Sequence, residues 1–391
     1  MPQPIPAMAN TPPCVAFVEP VAANGRPEVL LIADLMRRAV RAPTRTEAVP
    51  SDIDWEAFVR IAQNNRVLLL AAQGLPECGL AAPESVLKTI ARYRALTLSL
   101  NGANLVTLRG IIAAFEAAQI DVIGLKGPIA LSALHGDAFI RPSTDIDLLV
   151  RHRDFKRAGE LIKTCGFMAP RGADTIWWRT FLGEQHYYAE GKAPIDLHHR
   201  IQQPDCPAPR SLEAFWKDRT HASVGKAEVA ILSPKHAALL SCMSLAKAIA
   251  RREPAGAYAW DIAVYIASCS EAQRDALVDA ARDMGLLNTL RLGLRTARAL
   301  FGVSVVGISI DGAMAFASDA DMAAIVLAPE EASAVNSHRL KLLASLSDNS
   351  VDLAKNILWA GGARLALITT PRRAVVERLW SDQLVKRGQP G

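Results

Sequence analysis

Apolar residues recur at three- and four-residue spacing over Val29 to Arg41, Asp54 to Gln73 and Pro83 to Ala118, and this period predicts three amphipathic helices. Between Ile120 and about Ile201 the texture changes to short runs of Val, Ile and Leu separated by Gly, Pro and Asp, a mixed α/β pattern. Within it, Asp121 to Leu125 reads as a strand. Pro128 to His135 reads as a short helix, with Pro in its first turn and Gly136 just past its end. Asp145 to Val150 is the next strand, and Phe155 to Cys165 an amphipathic helix stopped by Gly166. Gln185 to Ala189 and Ala193 to Ile201 pair as a hairpin around Glu190-Gly191-Lys192.

From Ser233 the helical period returns, running to Arg251 and Arg252, where Pro254 and Gly256 interrupt it. Trp260 to Ser268, Glu271 to Met284 and Asn288 to Phe301 follow as helices. Ala313 to Ala328, His338 to Leu346 and Arg373 to Arg387 carry a weaker signal. The pattern divides the chain into a disordered N-terminal segment (1–27), a helical N-terminal region (28–118), a mixed α/β core (119–225) and a helical C-terminal region (226–391).

Composition narrows this picture. A chain of 391 residues, half of them hydrophobic, can build two or three units with real cores. The net charge of +5 is spread through interleaved Lys, Arg, Asp and Glu, so charge alone does not point to nucleic acid. There is no basic, aromatic-laced stripe and no zinc-finger or RNP motif either. The six cysteines have no CxxC spacing and read as free thiols in a reducing compartment. The first residues lack a secretory pattern, and the late apolar stretch Ile357 to Thr370 is broken by Gly361, Gly362 and Arg364. A cytoplasmic protein without a membrane segment is the expectation.

The chemistry gathers between Leu125 and Arg200. Asp145 and Asp147 sit two residues apart at the start of an apolar strand, so their side chains leave the same face while Ile146 turns into the core. Two like charges there repel and are costly to desolvate unless a cation neutralises them; hard oxygen ligands suit Mg²⁺, with Mn²⁺ as the alternative. Asp196, in Pro194-Ile195-Asp196-Leu197-His198-His199-Arg200, supplies a third carboxylate on a neighbouring strand, with His198 on its face and His186 opposite. It suits a second-metal ligand or a general base. Lys126-Gly127 precedes the helix at Pro128, whose free N–H groups favour an anion, and Arg141, Ser143 and Thr144 lie within reach of phosphate oxygens. Each has a plainer meaning: a solvated lysine at an ordinary turn, a salt-bridged Arg141, a structural histidine.

Leu125-Lys126-Gly127, then Arg141-Pro142-Ser143-x-Asp145-x-Asp147-Leu148-Leu149-Val150, then Ile195-Asp196-Leu197-His198, together resemble the uncharacterised bacterial nucleotidyltransferase-like family of the DNA polymerase β superfold. Asp54-Trp55 and Ala259-Trp260-Asp261 also look like that family. The resemblance implies an α+β fold, a nucleotidyltransferase-type small mixed sheet with flanking helices. It implies Mg²⁺ on the Asp pair and transfer of a nucleotidyl group from a nucleoside triphosphate. It carries over to Lys126, Gly127, Arg141, Ser143, Asp145, Asp147, Asp196 and His198. The chain departs from better-known nucleotidyltransferases in placing Lys126-Gly127 where they have Gly-Ser, and in a longer interval to Asp145.

The expectation is therefore a Mg²⁺-dependent transferase. Asp145, Asp147 and Asp196 are its catalytic and metal-binding residues, and Lys126, Gly127, Arg141, Ser143 and His198 line the nucleotide site. The acceptor, a small molecule, sugar, peptide or protein, is not encoded in any motif. A non-catalytic nucleotide- or partner-binding module and a metal-dependent phosphohydrolase are the alternatives.

Overall fold

In the computed structural model, the described residues are 15–18, 25–39, 52–170, 175–201, 203–204, 206–225, 227–310, 314, 317–332 and 339–369. The helix expected at Arg373 to Arg387 lies outside them. The core holds a six-stranded mixed sheet of β2 (Val122–Gly124), β3 (Ile146–Val150), β4 (Glu184–Tyr187), β5 (Ile195–His198), β6 (Thr220–Val224) and β7 (Ala227–Ile231), in the order β4-β5-β3-β2-β7-β6. Central β3 runs antiparallel to β2 and parallel to β5, and β4 closes one edge as the expected hairpin partner of β5. The β6–β7 hairpin is absent from the sequence expectation. It turns at Gly225, so the expected boundary at 225 falls inside it, and β7 joins the sheet beside β2.

The expected element types hold over most of the core. Helix α5 (Pro128–His135) ends at Gly136 in the left-handed conformation, and α6 (Phe155–Thr164) stops before Gly166. All of β3 is buried because both its faces are covered, which is why it reads as a continuous apolar run. Ile146, Leu148 and Val150 pack with Leu108, Ile112 and Phe115 of the 34-residue α4 (Glu84–Ala117) and with Ala158 and Ile162 of α6. The opposite face carries Asp147 and Leu149, and Leu149 belongs to the core built by the remaining helices. The period of two thus sends apolar residues one way and the carboxylate the other.

Those remaining helices are α1 (Pro27–Ala39), α2 (Trp55–Asn64), α3 (Leu68–Gly74), α8 (Pro234–Arg251), α9 (Gly256–Ser268), α10 (Glu271–Asp283), α11 (Leu287–Phe301) and α12 (Met322–Leu327). Residues from both ends of the chain share one hydrophobic cluster, so the N- and C-terminal helical regions pack as one body against the sheet. Arg37 of α1 joins them, its Nε 2.7 Å from the Leu300 carbonyl at the end of α11. Strand β1 (Val15–Phe17), inside the segment expected to be disordered, pairs antiparallel with β8 (Val303–Val305). A short α7 (Glu213–Lys217) precedes β6, and α13 (Arg339–Leu346) and α14 (Ser350–Thr369) close the described chain. Helix α14 covers the apolar stretch for which the sequence predicted no helix.

The single helix expected over Asp54 to Gln73 is two. The break falls at Asn65-Arg66-Val67, where Arg66 takes a left-handed φ of 57°. Fully buried Asn65 explains it. Its Nδ2 donates to the carbonyls of Ile61 at 2.9 Å and Leu327 at 2.7 Å, while its Oδ1 accepts from Gly256 N at 2.8 Å. One side chain joins α2, α9 and α12, and the backbone bends to present it. Helical periodicity does not register a break held by distant carbonyls.

Helix α4 is long and apolar enough, by length and composition, to cross a bilayer, contrary to the expectation that no segment is. In the fold it packs beneath the sheet and presents buried Asn101 and Asn104 to the loop before β3.

Candidate active site

The loop that delivers the carboxylates is held from below and behind. Asn101 Nδ2 donates to the carbonyls of Ala138 at 2.6 Å and Arg141 at 2.9 Å, and Asn101 Oδ1 accepts from Ser143 N at 2.8 Å. One turn later Asn104 Nδ2 donates to the Ser143 carbonyl at 2.8 Å. These amides satisfy backbone groups that the sheet leaves unpaired, which fixes the path into β3. From the other side Arg141 grips Asp261 of α9 with both arms, each at 2.6 Å, and His135 Nε2 lies 2.8 Å from the same carboxylate. Burial alone would raise the Asp261 carboxyl; Arg141 and His135 hold it far below the usual range. Arg141, expected on the nucleotide, is thus engaged with Asp261, the salt-bridge meaning of its sequence context.

Asp147 of β3 and Asp196 of β5 are register partners on parallel strands, projecting from one face with His198. His198 Nε2 is 3.1 Å from Asp147 Oδ1. Ligand atoms of Asp147, Asp196 and His198 all lie within 4.8 Å of one another. His186, the register partner of Asp196 on β4, hydrogen-bonds Asp196 through Nδ1. Glu184, at the start of β4, lies between the two rings: its Oε1 is 3.7 Å from His186 Nε2 and its Oε2 3.8 Å from His198 Nδ1. Gln203 donates to Glu184 at 3.1 Å, and Arg251 donates to Gln203 in turn.

The two carboxylates before and within β3 differ in character. Burial, then the charges of Asp147 and Asp196, push the Asp145 carboxyl up to about 7 in spite of Arg66 and Lys126. Asp147 is buried too, but Lys126 and the His198 hydrogen bond override that and hold it down at about 2. Burial opposes charge on both histidines as well; their carboxylate partners win, so His186 and His198 are both raised. Such a set of buried carboxylates and imidazoles can hold a divalent cation, which would relieve the repulsion among Asp145, Asp147 and Asp196.

Facing the carboxylates is a cationic wall, mostly unseen in the sequence. The Lys126 Nζ lies 5.7 Å from the centre of the Tyr258 ring, and the Arg66 guanidinium 5.3 Å from it. Burial alone would raise the Tyr258 hydroxyl, but Arg66, Lys126 and Lys247 bring it down to about 8. Arg66 is also drawn to Asp145, Lys126 to both Asp147 and Asp145, and Lys247 to Asp147. Three cations from three segments therefore act electrostatically on the carboxylates. Gly127, at φ 87°, opens α5 in a conformation that favours glycine, and a Cβ there would meet Ser143 Oγ at 3.6 Å. Ser143 itself lies against the Asp145 carbonyl, at 3.5 Å.

The sequence profile of a family described as an uncharacterised nucleotidyltransferase matches residues 51–302, which takes in the sheet, the carboxylates and the cationic wall. The chain belongs to this nucleotidyltransferase family. The family's profile begins just before α2 and ends after α11, so the α2–α3 turn carrying Arg66 and the helices carrying Lys247 and Asp261 are as much part of the family unit as the Asp pair. Among solved structures, the solution structure of the antibiotic-resistance factor ANT(2'')-Ia is similar over 46% of this chain and 92% of its own, at 14% identity and a TM-score of 0.33. Comparison with curated proteins finds no match.

Of the expected site residues, the fold brings Asp147, Asp196 and His198 into one cluster, with Asp145, Lys126 and Gly127 beside it, and engages Arg141 elsewhere. Arg66, Glu184, Lys247 and Tyr258 were not anticipated. A lysine inside the otherwise apolar run Leu245-Ala246-Lys247-Ala248-Ile249 was a usable signal; Arg66 offered none.

Proposed function

We propose that this nucleotidyltransferase moves a nucleotidyl group from a nucleoside triphosphate to a hydroxyl or phosphate acceptor on a small molecule, sugar, peptide or protein, with a divalent cation on its carboxylates. The observation that carries the reading is the pairing of Asp147 with Asp196 across β3 and β5, beside Asp145 and opposite Lys126, Arg66 and Lys247. In this reading Asp145, Asp147 and Asp196 hold the cation, which neutralises charge on the reacting phosphate when bound. Lys126, Arg66 and Lys247 receive the remaining phosphates, with the backbone at Gly127 and Ser143 shaping the floor.

Asp196 is the candidate to take the acceptor proton. His186 holds Asp196 from β4 through its Nδ1. Nucleotidyl transfer asks mainly for positioning and charge neutralisation, and carboxylates fixed on two paired strands, with Lys126, Arg66 and Lys247 acting on them, fit both needs.

The test is mass spectrometry of candidate acceptors incubated with mixed triphosphates and Mg²⁺ or Mn²⁺. The added mass identifies donor and reaction together. Triphosphate breakdown that does not depend on an acceptor would replace the proposal with a phosphohydrolase; tight binding with no product in any screen would replace it with a binding module.

A further inference from the structure

We infer that His198 is itself a metal ligand: Asp147, Asp196 and His198 form a site of two oxygen donors and one nitrogen donor that prefers a first-row transition dication, of which Mn²⁺ is the probe, over Mg²⁺. The inference deepens the reading above, since it concerns the cation that serves the same carboxylates.

Geometry carries it. The three side chains leave one face of adjacent parallel strands, with their ligand atoms inside a 4.8 Å span. All three are largely withdrawn from water: Asp147 and His198 are each 8% exposed, and the Asp196 side chain 17%. His198 turns Nε2 into this cluster and Nδ1 out of it, toward Glu184. Glu184 stands behind that second nitrogen at ion-pair distance, 3.8 Å, on the side where the outer carboxylate of a ligating imidazole belongs. Glu184 is in turn held by Gln203, and Gln203 by Arg251, so the outer group has its own support.

A second observation points the same way. His186 Nε2 is buried without a hydrogen-bond partner and lies 3.7 Å from the other Glu184 oxygen, while its Nδ1 orients Asp196. One carboxylate thus backs two rings, one on a ligand and one in the ligand position. A site that used only carboxylates and water, as Mg²⁺ prefers, needs neither the imidazole nor its support. An imidazole donor suits first-row transition ions, and a mixed carboxylate and imidazole set accommodates Mn²⁺ while penalising Mg²⁺.

The experiment uses the full chain, stripped with chelator and titrated with Mn²⁺ under electron paramagnetic resonance, with Mg²⁺ as competitor. Wild-type protein is expected to bind Mn²⁺ more tightly than Mg²⁺, and pulsed spectra are expected to show nitrogen coupling from one imidazole. His198→Gln should abolish that coupling and weaken Mn²⁺ by more than the roughly 10- to 100-fold that loss of an outer partner costs, while leaving Mg²⁺ affinity nearly unchanged. Glu184→Gln should weaken Mn²⁺ binding yet retain the coupling. His152→Gln, outside the cluster, should change neither. Absence of nitrogen coupling in the wild type overturns the inference, as does equal loss of both ions in His198→Gln. The wild-type spectrum decides the matter even where a variant fails to fold. Failure of the transfer reading appears separately, as no acceptor product with either ion, whatever the spectra show.

Discussion

Arg141 and Asp261, 120 residues apart in the chain, meet in a buried two-armed ion pair at 2.6 Å. Through it the loop that delivers the carboxylates into β3 is tied to α9, the helix that also carries Tyr258 of the cationic wall.

Removing one partner leaves the other charge buried and uncompensated. Asp261→Asn and Arg141→Gln are each expected to lower stability by about 3–5 kcal/mol, read as a shift in the denaturant midpoint. The double variant should recover part of the loss. Nucleotide affinity per folded molecule should survive Arg141→Gln better than Lys126→Gln, because Arg141 points at Asp261 and Lys126 at the carboxylates.

Asp147→Asn and Asp196→Asn should each abolish nucleotidyl transfer, measured with whichever acceptor the mass-spectrometric screen identifies. Both should also lower the thermal midpoint of the metal-free protein at neutral pH, because Asp147 loses Lys126 and the His198 hydrogen bond and Asp196 loses His186, so turnover is compared per folded molecule. A variant that kept wild-type turnover would remove that residue from the mechanism.

Asp145 gives a pH signature. Its folded carboxyl titrates near 7, above the ordinary value of 3.8, so between those values the folded state binds more protons than the unfolded. Its contribution to stability is fully present below pH 4 and is lost as pH rises through 7. Asp145→Asn should therefore raise the metal-free thermal midpoint at pH 8 and leave it nearly unchanged at pH 4. Saturating divalent cation should erase the difference at pH 8 by stabilising the wild type.

Arg66 separates strain from function. Its φ of 57° costs about 1–2 kcal/mol in a residue with a side chain. Arg66→Gly should leave the thermal midpoint unchanged or higher. It should also weaken triphosphate binding, measured calorimetrically with a non-hydrolysable analogue, as Arg66→Gln does. An unaltered affinity in both variants would exclude Arg66 from the phosphate wall.

The sequence by itself determined the strands that carry the chemistry and the face each side chain takes. Alternation at Asp145-Ile146-Asp147 and at Ile195-Asp196-Leu197-His198 is a local rule, and the buried core enforces it; the β4–β5 hairpin, which sets His186 opposite Asp196, was legible for the same reason. Helix ends marked by Gly136 and Gly166 were equally local. Tertiary structure alone decided what each charged group faces. Arg141 became a clamp on Asp261, Arg66 reached the cleft because Asn65 bends the chain for carbonyls of two distant segments, and Glu184 came to back two histidines across a sheet edge. Periodicity records which way a side chain points relative to its own element. Its partner is set by the packing of elements far apart in the chain, and for a buried charge that partner determines the chemistry.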